Sequence, residues 1–428
     1  MYCVIPIFKD PNLHPLHKNN GLSALWVQPE SAEEPFFLIQ HHPDSDKMME
    51  DYKWLDEKLI MTPDKKLLNH FYKFDTVVDK NFIWWIDTGK PFENNIRNNA
   101  IDFLSNKFYN VKKLNEIIPL SKHNEYCSDV YKSMARAYVG GHDDYYMNDF
   151  TEAFGSIEKN GVKVSNDVCD IFDMRVKKHI SNGKLYSNYN LWTTTGRPSN
   201  SFGSVNFAAL PPEKRKAIIP ENDYLVEYDY DAYHLRIIAY LVGYHTFDEN
   251  SVHEHLSKWY ECSYEESKQK SFKLLYGGID KETREKVPFF DLTHKLINDK
   301  WKEINKNNYV FTDIYKRKLI YNNYDDLNRN KLFNYLIQAF ETEMNIKRIL
   351  EIQEYLLNKK TKLVLYGYDS FLFDFSKQDG VETLRKIKKI LEDRYDLPIN
   401  RVDYKPYYLT KSKMGYNYGE MKDTTNRL

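Results

Sequence analysis

The 428-residue sequence has few of the features that mark several large classes of protein. Its four cysteines, Cys3, Cys127, Cys169 and Cys262, are scattered and form no CxxC pair. This spacing argues against a zinc site and against a disulfide framework. No run of about 18 apolar residues is present, so we expect neither a signal peptide nor a membrane span. We therefore expect a soluble protein of a reducing compartment, the cytoplasm.

An excess of charge of one sign is also missing. Lys plus Arg total 61 and Asp plus Glu total 62, so the net charge is −1. The overall charge therefore does not indicate a nucleic-acid partner, and any basic surface has to be local. Internal repeats, heptad arrays and low-complexity linkers are absent as well. The length is enough for about two or three domains.

Residues 1–90 have the pattern of a mixed α/β region. The segments LSALWVQ and FFLIQHH predict a strand pair, and NFIWWIDTG predicts a further strand. From about residue 93 to 180 the pattern is mostly helical. Beyond that, helices are predicted around 231–243, 263–277, 328–358 and 379–395, and strands at 361–367 and 371–376.

Two aspartates lie where strands are predicted to end. In 224-YLVEYDYDAYHLRIIAYLVG-243, Asp229 separates a strand pattern from a helix pattern, although a lone aspartate here is equally typical of a helix N-cap. In 361-TKLVLYGYDSFLFDF-375, two apolar strands flank GYDS and predict a hairpin with Asp369 at its apex. Two carboxylates at strand ends of one sheet repel each other unless cations lie between them. Two divalent ions held in this way serve in-line phosphoryl transfer.

A third pattern lies between these stretches. In 264-YEESKQKSFKLLYGG-278, Lys268, Phe272 and Tyr276 recur every four residues and form one stripe on a helix. A lysine beside an aromatic ring on an exposed stripe can simply spread its methylene chain over the ring. The same stripe can equally grip a triphosphate and cover a base and a sugar.

Together, DYDAYHLR, KxxxFxxxYG and an apical YD between apolar strands resemble the family A DNA polymerases, the group of bacterial DNA polymerase I and related phage enzymes. Three further segments are similar to that family: 194-TTGRPSNSFGSVNFAALP-211, 334-NYLIQ-338 and 157-IEKNGVKV-164. The resemblance covers about residues 150–428. It implies an α+β right-hand polymerase, compact and phage-type, with an antiparallel palm sheet, helical fingers and a reduced thumb.

The resemblance also implies a division of the chain. Residues 1–150 would form an N-terminal α/β domain and residues 151–428 the polymerase domain. Within the latter, 151–196 would be the reduced thumb, 197–235 and 340–428 the palm, and 236–339 the fingers.

Each matching residue acquires an implied role. Asp229 and Asp369, helped by the Tyr230 carbonyl, would bind two Mg²⁺ ions, for which Mn²⁺ could substitute, and Lys268 would act catalytically near the α-phosphate. The residues implied to contact the incoming nucleotide are His234, His253, Lys268, Phe272 and Tyr276. Those implied to contact DNA are Arg197, Asn206, Asn334 and Gln338. The expected partners are primer–template DNA, dNTPs and a processivity or accessory protein, in the host cytoplasm if the chain is phage-encoded.

The chain departs from the family at several positions. His234 stands where the family has the Glu that excludes a ribose 2′-hydroxyl, and Ser370 rather than Glu follows Asp369. Tyr264 replaces an Arg that contacts the triphosphate, so that contact is lost unless Lys270 or Lys273 replaces it. The short span from 160 to 196 replaces a long helical thumb, which predicts weak processivity because thumb contacts to phosphates supply affinity.

Residues 1–150 occupy the place of the family's 3′–5′ exonuclease, an RNase H-like domain. GLSALWVQPES is the candidate for its first strand, but Trp26 and Gln28 stand where the metal-binding DxE would be. Tyr126 and Asp129 match the third exonuclease motif only loosely. We expect a vestigial exonuclease-like domain without proofreading, with an unrelated accessory domain as the alternative.

Three other functions stay open at this level. His234 and the Asp369-Ser370 pair are compatible with RNA synthesis or relaxed sugar choice, although Phe272 argues against an RNA polymerase, which usually carries Met there. A catalytically inactive DNA-binding subunit would be expected to have lost one of Asp229, Lys268 and Asp369. A nuclease would explain the paired aspartates but not the stripe that begins with Lys268.

Overall fold

The structure, a computed structural model, describes residues 1–10, 13–31, 33–45, 50–90, 119–136, 144–166, 172, 174–200, 205–244, 247, 251–393 and 408–428. The chain forms two compact units, an N-terminal unit of Met1–Trp192 with Ser199–Ile218, and a C-terminal unit of Thr193–Pro198 with Ile219–Leu428. The predicted boundary at 150/151 and the division into thumb, palm and fingers stay predictions.

The N-terminal unit is built on a five-stranded sheet in the order β3-β2-β1-β4-β5. The first three strands pair antiparallel, and β1, β4 and β5 pair parallel. The predicted RNase H-like character of this unit stays a prediction. The strands are β1 (Tyr2–Phe8), β2 (Leu22–Pro29), β3 (Phe36–Ile39), β4 (Ile60–Thr62) and β5 (Val77–Asp79).

Helices and two short strand pairs complete the described part of this unit. The helices are α1 (Lys65–Phe71), α2 (Lys80–Thr88), α3 (Leu120–Arg136), α4 (Asp144–Asn160), α5 (Met174–Lys177) and α6 (Pro212–Arg215). The strand pairs are β6 (Val162–Val164) with β7 (Lys184–Leu185), and β8 (Tyr189–Asn190) with β9 (Ser199–Asn200); β10 (Ile218–Ile219) adds a third strand next to β6. Among the described residues from 161 to 196, α5 is the one helix, so no long thumb insertion is present there. Much of the predicted helical region from 93 to 180 lies outside the described residues.

The predicted strand NFIWWIDTG is wrong, because the segment forms α2. Asp79 caps this helix, its side chain accepting a hydrogen bond from the Phe82 amide at 2.9 Å. The helix ends at Gly89, whose φ of 72° is a left-handed C-cap conformation. Its buried apolar side chains follow a helical spacing rather than the alternation of a strand.

The predicted first strand is also wrong. GLSALWVQPES forms β2, and Tyr2–Phe8 precedes it as the central strand β1. A central strand buried on both faces is apolar throughout and lacks the alternation by which a half-buried strand is recognised. β1 contains no carboxylate, and its Cys3, Ile5 and Ile7 pack in an apolar cluster with Trp26 and with Tyr126 of α3.

The C-terminal unit is built on a second five-stranded sheet, antiparallel throughout, in the order β14-β15-β11-β16-β17. A separate hairpin pairs β12 with β13. The strands after residue 217 are β10 (Ile218–Ile219), β11 (Tyr224–Tyr230), β12 (Tyr309–Phe311), β13 (Lys318–Ile320), β14 (Lys362–Tyr366), β15 (Ser370–Phe375), β16 (Thr410–Gly415) and β17 (Lys422–Asp423).

Helices surround a central helix in this unit, which confirms the predicted α+β class and the helical character of the region between β11 and β14. They are α7 (Tyr233–Val242), α8 (Val252–Tyr260), α9 (Tyr264–Gly277), α10 (Lys281–Lys286), α11 (Pro288–Asn307), α12 (Arg329–Leu356) and α13 (Val381–Glu392). The longest, α12, has buried side chains on most of its circumference, including the charged Glu341, Glu343 and Arg348.

Two sequence-based exclusions can be compared with the described residues. None of the described helices has the length and apolarity needed to cross a membrane. Cys3, Cys127 and Cys262 are free thiols, and Cys169 lies outside the described residues.

Candidate active site

One face of the C-terminal sheet carries a row of polar side chains. In the strand register, Asp229 of β11 is paired with Ser370 of β15 on one side and with Lys411 of β16 on the other. Directly opposed residues of antiparallel strands project to the same face. The alternate positions Val226 and Tyr228 are buried in the core. The C-terminal part of the strand therefore presents Glu227 and Asp229 on a polar face, because the buried Val226, Tyr228 and Tyr230 occupy the other.

Asp369 lies at the apex of the hairpin next to the end of β11. The Tyr230 amide donates a hydrogen bond to the Asp369 carbonyl at 3.0 Å, so the two strand ends are in direct contact. Gly367 and Ser370 close a two-residue turn, with the Gly367 amide donating to the Ser370 carbonyl at 2.8 Å. The hairpin predicted from 361–375 is therefore confirmed.

Both acidic positions adjoin strained backbone. Tyr368, just before Asp369, has a φ of 70°, and Ala232, between β11 and α7, has a φ of 51°. Non-glycine residues adopt such conformations rarely, at a cost of about 1–3 kcal/mol, and they cluster at functional sites. The chain thus accepts strain at the two turns that present the carboxylates.

The two carboxylates interact electrostatically. The pKa of Asp229 is raised to about 7, first by partial burial and then by the charges of Asp369 and Glu227, which outweigh the opposing effect of Lys413 and Lys411. Burial, followed by the charge of Glu341, raises the pKa of Asp369 as well. The Asp229 carboxylate has no hydrogen-bond or ion-pair partner within the described part of the chain. A half-buried acid without a partner beside a second acid is suited to binding cations.

Asn345 of α12 fixes the relative position of these elements, and sequence reasoning missed it. Its Nδ2 donates to the Tyr368 carbonyl at 2.9 Å, and its Oδ1 accepts from the Tyr233 hydroxyl at 2.8 Å. The hairpin apex and the first turn of α7 are therefore tied to one buried side chain. No local pattern marks Asn345, because its partners are 112 and 23 residues away.

The predicted stripe on α9 is exposed along one face. Lys268 is exposed, and Phe272 and Tyr276 keep 40% and 39% of their surface. The two rings stack with centroids 6.2 Å apart and planes 5° apart. The opposite face packs inward through Ser267, Ser271, Leu274 and Leu275. The prediction of one exposed stripe is confirmed, whereas its contact with a nucleotide stays a prediction.

A group of cations adjoins the first residue of this stripe. His253 of α8 packs edge-on against Tyr264, with centroids 5.7 Å apart, and its carbonyl accepts from Ser267 Oγ at 2.9 Å. Burial lowers the pKa of His253; the charge of Asp231 raises it, and those of Lys268 and Lys411 lower it. Lys411 Nζ lies 2.6 Å from Asp231 Oδ1 and interacts with Tyr264. Lys411, which sequence reasoning missed, thus adds positive charge beside Tyr264.

Arg197 and His234 meet at a buried glutamate. Arg197 Nε and Nη2 donate to the two oxygens of Glu341 at 2.7 and 2.9 Å, and the guanidinium lies 4.3 Å from the centre of the Tyr368 ring. His234 Nε2 lies 3.1 Å from Glu341 Oε2, and Nδ1 lies 2.7 Å from the Tyr276 hydroxyl. Glu341 therefore contacts Arg197 and His234 directly and is linked to Tyr276 through His234, and no local sequence pattern marks it.

The remaining predicted DNA contacts lie in two places. Asn334 and Gln338 are half-buried residues one turn apart on α12. Asn206 belongs to the N-terminal unit, where its side chain caps a short helical turn by accepting from the Ala209 amide at 3.3 Å. Contacts of all three residues with DNA stay predictions.

The N-terminal unit contains another cluster with metal-ligand chemistry. Ligand atoms of His14, His70 and Glu158 lie within 4.8 Å of one another. Glu158 Oε1 already accepts from Lys66 Nζ at 2.6 Å, and the Leu16 amide donates to His14 Nδ1 at 3.2 Å. That bond places the proton of a neutral His14 on Nε2, the atom left to bind a metal. Both Glu158 oxygens are therefore engaged in buried contacts, whereas His14 Nε2 and His70 Nδ1 are buried without a hydrogen-bond partner among the described residues.

Comparisons with known proteins show the fold. The structure is similar to that of the POL domain of Pol1 from M. smegmatis, solved in complex with DNA primer-template and dNTP. The TM-score is 0.66 over 98% of this chain and 95% of that chain, at 12% sequence identity. The chain thus has the fold of a DNA polymerase domain. Neither a scan against descriptions of protein families nor a search of curated proteins finds a match to the sequence.

Proposed function

We propose that the chain is a template-directed DNA polymerase of the family A type, which adds dNTPs to a primer 3′-hydroxyl without proofreading. One observation carries this proposal: Asp229 and Asp369 interact at adjacent strand ends, and the exposed stripe of Lys268, Phe272 and Tyr276 is joined to the helix that follows β11 by the contact of Tyr276 with His234. A nuclease needs the acids but not the stripe. An inactive subunit needs neither.

The acidic pair fits two divalent cations. Carboxylate and carbonyl oxygens are the ligands that Mg²⁺ prefers, and Asp229, Asp369 and the Tyr230 carbonyl would provide them. When bound, two Mg²⁺ or Mn²⁺ ions lower the pKa of the primer hydroxyl and neutralise charge on the leaving pyrophosphate. Repulsion between the two carboxylates, which raises the pKa of Asp229, would be relieved by such ions.

The residues of α9 and its neighbours would hold the nucleotide. The exposed Lys268 ammonium would pair with the phosphate chain and donate a proton to the leaving pyrophosphate, while Lys411 would add positive charge nearby and His253 would contact the triphosphate. The Phe272 ring would stack on the nucleotide, and Tyr276 would pack beside the template base. Holding the reacting groups in place in this way supplies much of the rate of phosphoryl transfer.

Duplex contacts would come from Arg197, Asn334, Gln338 and Asn206. Polar side chains in the minor groove meet acceptors that are common to all base pairs, so they can test the shape of a pair without reading its sequence. The short region between 160 and 196 leaves few residues for gripping phosphates. We therefore propose weak processivity and a need for an accessory protein, features that suit a compact, phage-type enzyme.

The N-terminal unit would not proofread. The central strand β1 of its sheet consists of YCVIPIF and carries no acid. The side chains of β1 pack in an apolar cluster with Trp26 and Tyr126. An apolar cluster offers no ligand for the divalent ions on which an RNase H-like 3′–5′ exonuclease depends.

A single-nucleotide extension assay tests the proposed function. The protein is incubated with Mg²⁺, a primed template and each dNTP separately, with the template base varied in turn. The proposal expects one added nucleotide only with the complementary dNTP, and no shortening of a primer with a 3′ mismatch. Failure to extend any primer would indicate an inactive DNA-binding subunit, and shortening without extension would indicate a nuclease.

A further inference from the structure

We propose that Glu341, a buried residue of α12, is a positioning residue that sets sugar choice by holding His234 and, through it, Tyr276. The inference rests on the proposed function, because it concerns the nucleotide pocket of a polymerase. Glu341 is fully buried, and none of the three family motifs includes it.

Glu341 is ionised in the folded protein. Burial alone would raise its pKa, but the adjacent His234 and Arg197 outweigh burial and lower it. Arg197 binds both carboxylate oxygens in a bidentate ion pair, a geometry that fixes the carboxylate plane. The glutamate is therefore a rigid, charged acceptor whose position does not depend on His234.

The charge of Glu341 determines how the His234 ring is protonated. A carboxylate can only accept, so the His234 Nε2 atom at 3.1 Å has to donate to it. When Nε2 of a neutral ring donates to Glu341, Nδ1 of that ring is the acceptor, and the Tyr276 hydroxyl donates to it at 2.7 Å. Hydrogen bonds at both nitrogens fix the ring orientation and direct the Tyr276 proton away from solvent.

This chain of bonds leads from the core to the proposed nucleotide pocket. Exposure rises from 0% at Glu341 to 11% for the His234 side chain and 39% for Tyr276, which stacks with Phe272. A ring held at both nitrogens presents fixed bulk to the sugar and excludes an extra hydroxyl. A ring free to rotate makes room for one, so discrimination between dNTP and rNTP depends on a charge that never contacts the sugar.

The test compares dNTP with rNTP incorporation by kcat/KM in the full-length protein. We expect Glu341→Gln, which keeps the shape but loses the charge, to raise the rNTP/dNTP ratio about tenfold, mainly through a lower KM for rNTP. Glu341→Gln added to His234→Ala should cause no further change. Glu343→Gln is the matched control: Glu343 is buried on the same helix but accepts from the Ile314 and Tyr315 amides. Glu343→Gln should keep the rNTP/dNTP ratio within about twofold of the wild-type value.

Two further measurements test the proposal if Glu341→Gln does not fold or if the protein does not polymerise. Tyr276→Phe removes the exposed end of the chain of bonds without altering the core, and it should raise the ratio in the same direction, without adding to Glu341→Gln. In ¹⁵N NMR, assigned by comparison with His234→Ala, the wild-type His234 ring should be protonated at Nε2, and Glu341→Gln should yield a mixture of tautomers.

The outcomes separate the two proposals. A wild type that makes no templated product contradicts the proposed function, and the NMR comparison still decides the role of Glu341. A wild type that polymerises contradicts the role of Glu341 in three cases: if Glu341→Gln leaves the ratio unchanged, if the effects of Glu341→Gln and His234→Ala add, or if the wild-type ring is protonated at Nδ1.

Discussion

Each unit of the protein contains a fully buried glutamate that is paired with one permanent cation and one histidine. In the N-terminal unit, Glu158 contacts Lys66 and His70 at 2.6 and 2.5 Å. In the C-terminal unit, Glu341 contacts Arg197 and His234 at 2.7 and 3.1 Å. The chemistry of the two groups is nearly the same, but the surroundings differ.

The difference lies in the exposure of the partners. The side chains of Lys66 and His70 are 7% and 2% exposed, so the Glu158 network ends within the core. Those of Arg197 and His234 are 25% and 11% exposed, and His234 leads on to the exposed Tyr276. A buried charge thus serves structure when its partners are buried, and it can serve a site when its partners reach the surface.

The largest effect should come from the acids at the strand ends of the C-terminal unit. Asp229→Asn or Asp369→Asn should lower kcat for nucleotide addition by about three orders of magnitude or more, because a metal ligand is lost rather than core packing. The circular dichroism spectrum should not change. Asp423→Asn, on the same sheet but exposed, is the control and should retain full activity. Normal activity of either active-site variant would exclude the proposed site.

Substitution of the buried glutamate of the N-terminal unit should lower stability and leave activity unchanged. Glu158→Gln leaves Lys66 buried without a counter-charge, so the free energy of unfolding in urea should fall by about 3–5 kcal/mol. Glu152→Gln, on the same helix but in an exposed pair with Lys73, should barely change the unfolding midpoint. Nucleotide addition per folded molecule should persist in both. Unchanged stability of Glu158→Gln would refute the structural role assigned to this network.

A smaller effect is expected at the stripe on α9. Lys268→Ala should lower kcat/KM for dNTP by about 10- to 100-fold, equivalent to about 1.4–2.7 kcal/mol, because charge next to the triphosphate is lost. Lys270, two residues on, lies 4.5 Å from the centre of the Tyr260 ring. Lys270→Ala should therefore change kcat/KM little. Equal losses in the two variants would mean that the stripe does not mark the nucleotide site.

The two units should also differ in how pH affects their stability. The pKa of Glu158 falls to about 2, since Lys66 and His70 outweigh burial, so its contribution is present above its usual pKa and is lost as pH falls toward 2. The pKa of Asp229 rises from 3.8 to about 7, so the metal-free protein loses stability as pH rises from about 4 to 7, and the loss is complete above pH 7.

This destabilisation can be measured with a neutral variant. In EDTA at pH 8, Asp229→Asn should be more stable than wild type by roughly 1–2 kcal/mol, a value reduced from 1.36 kcal/mol per pKa unit because the group is partly exposed. At pH 4 the two should be nearly equal. Mg²⁺ should stabilise the wild type more at pH 8 than at pH 5. A variant less stable than wild type at pH 8 would contradict the electrostatic argument.

The sequence predicted those parts of the site that depend on local patterns. The strand before Asp229, the hairpin around Asp369 and the stripe on α9 each follow from the period of apolar residues within a short window. The strand prediction for NFIWWIDTG was wrong because a short apolar run fits a strand as well as a helix. The residues that cap the helix, Asp79 and Gly89, lie at the edges of this run.

The missed residues act over long sequence separations. Glu341 meets Arg197 across 144 positions, and Asn345 meets Tyr233 across 112. Lys411 lies opposite Asp229 because β16 pairs with β11. From its sequence pattern alone, a polar residue inside a helix or strand is assigned to the exposed surface. Only the tertiary fold shows that it is buried or lies beside a site. Helix α12 itself was predicted, but its burial on most sides leaves no apolar stripe that could indicate which of its polar residues are buried.

The central claim is that Asp229 and Asp369 together hold the cations that drive nucleotide addition. The most direct test is a crystal structure with Mn²⁺, a primer lacking its 3′-hydroxyl, a template and the complementary dNTP, in which anomalous scattering locates the ions. We predict two Mn²⁺ ions about 3.5–4 Å apart, each bound by both aspartates, and loss of at least one in Asp229→Asn. Ions bound elsewhere, or a nucleotide bound away from both carboxylates, would contradict the account.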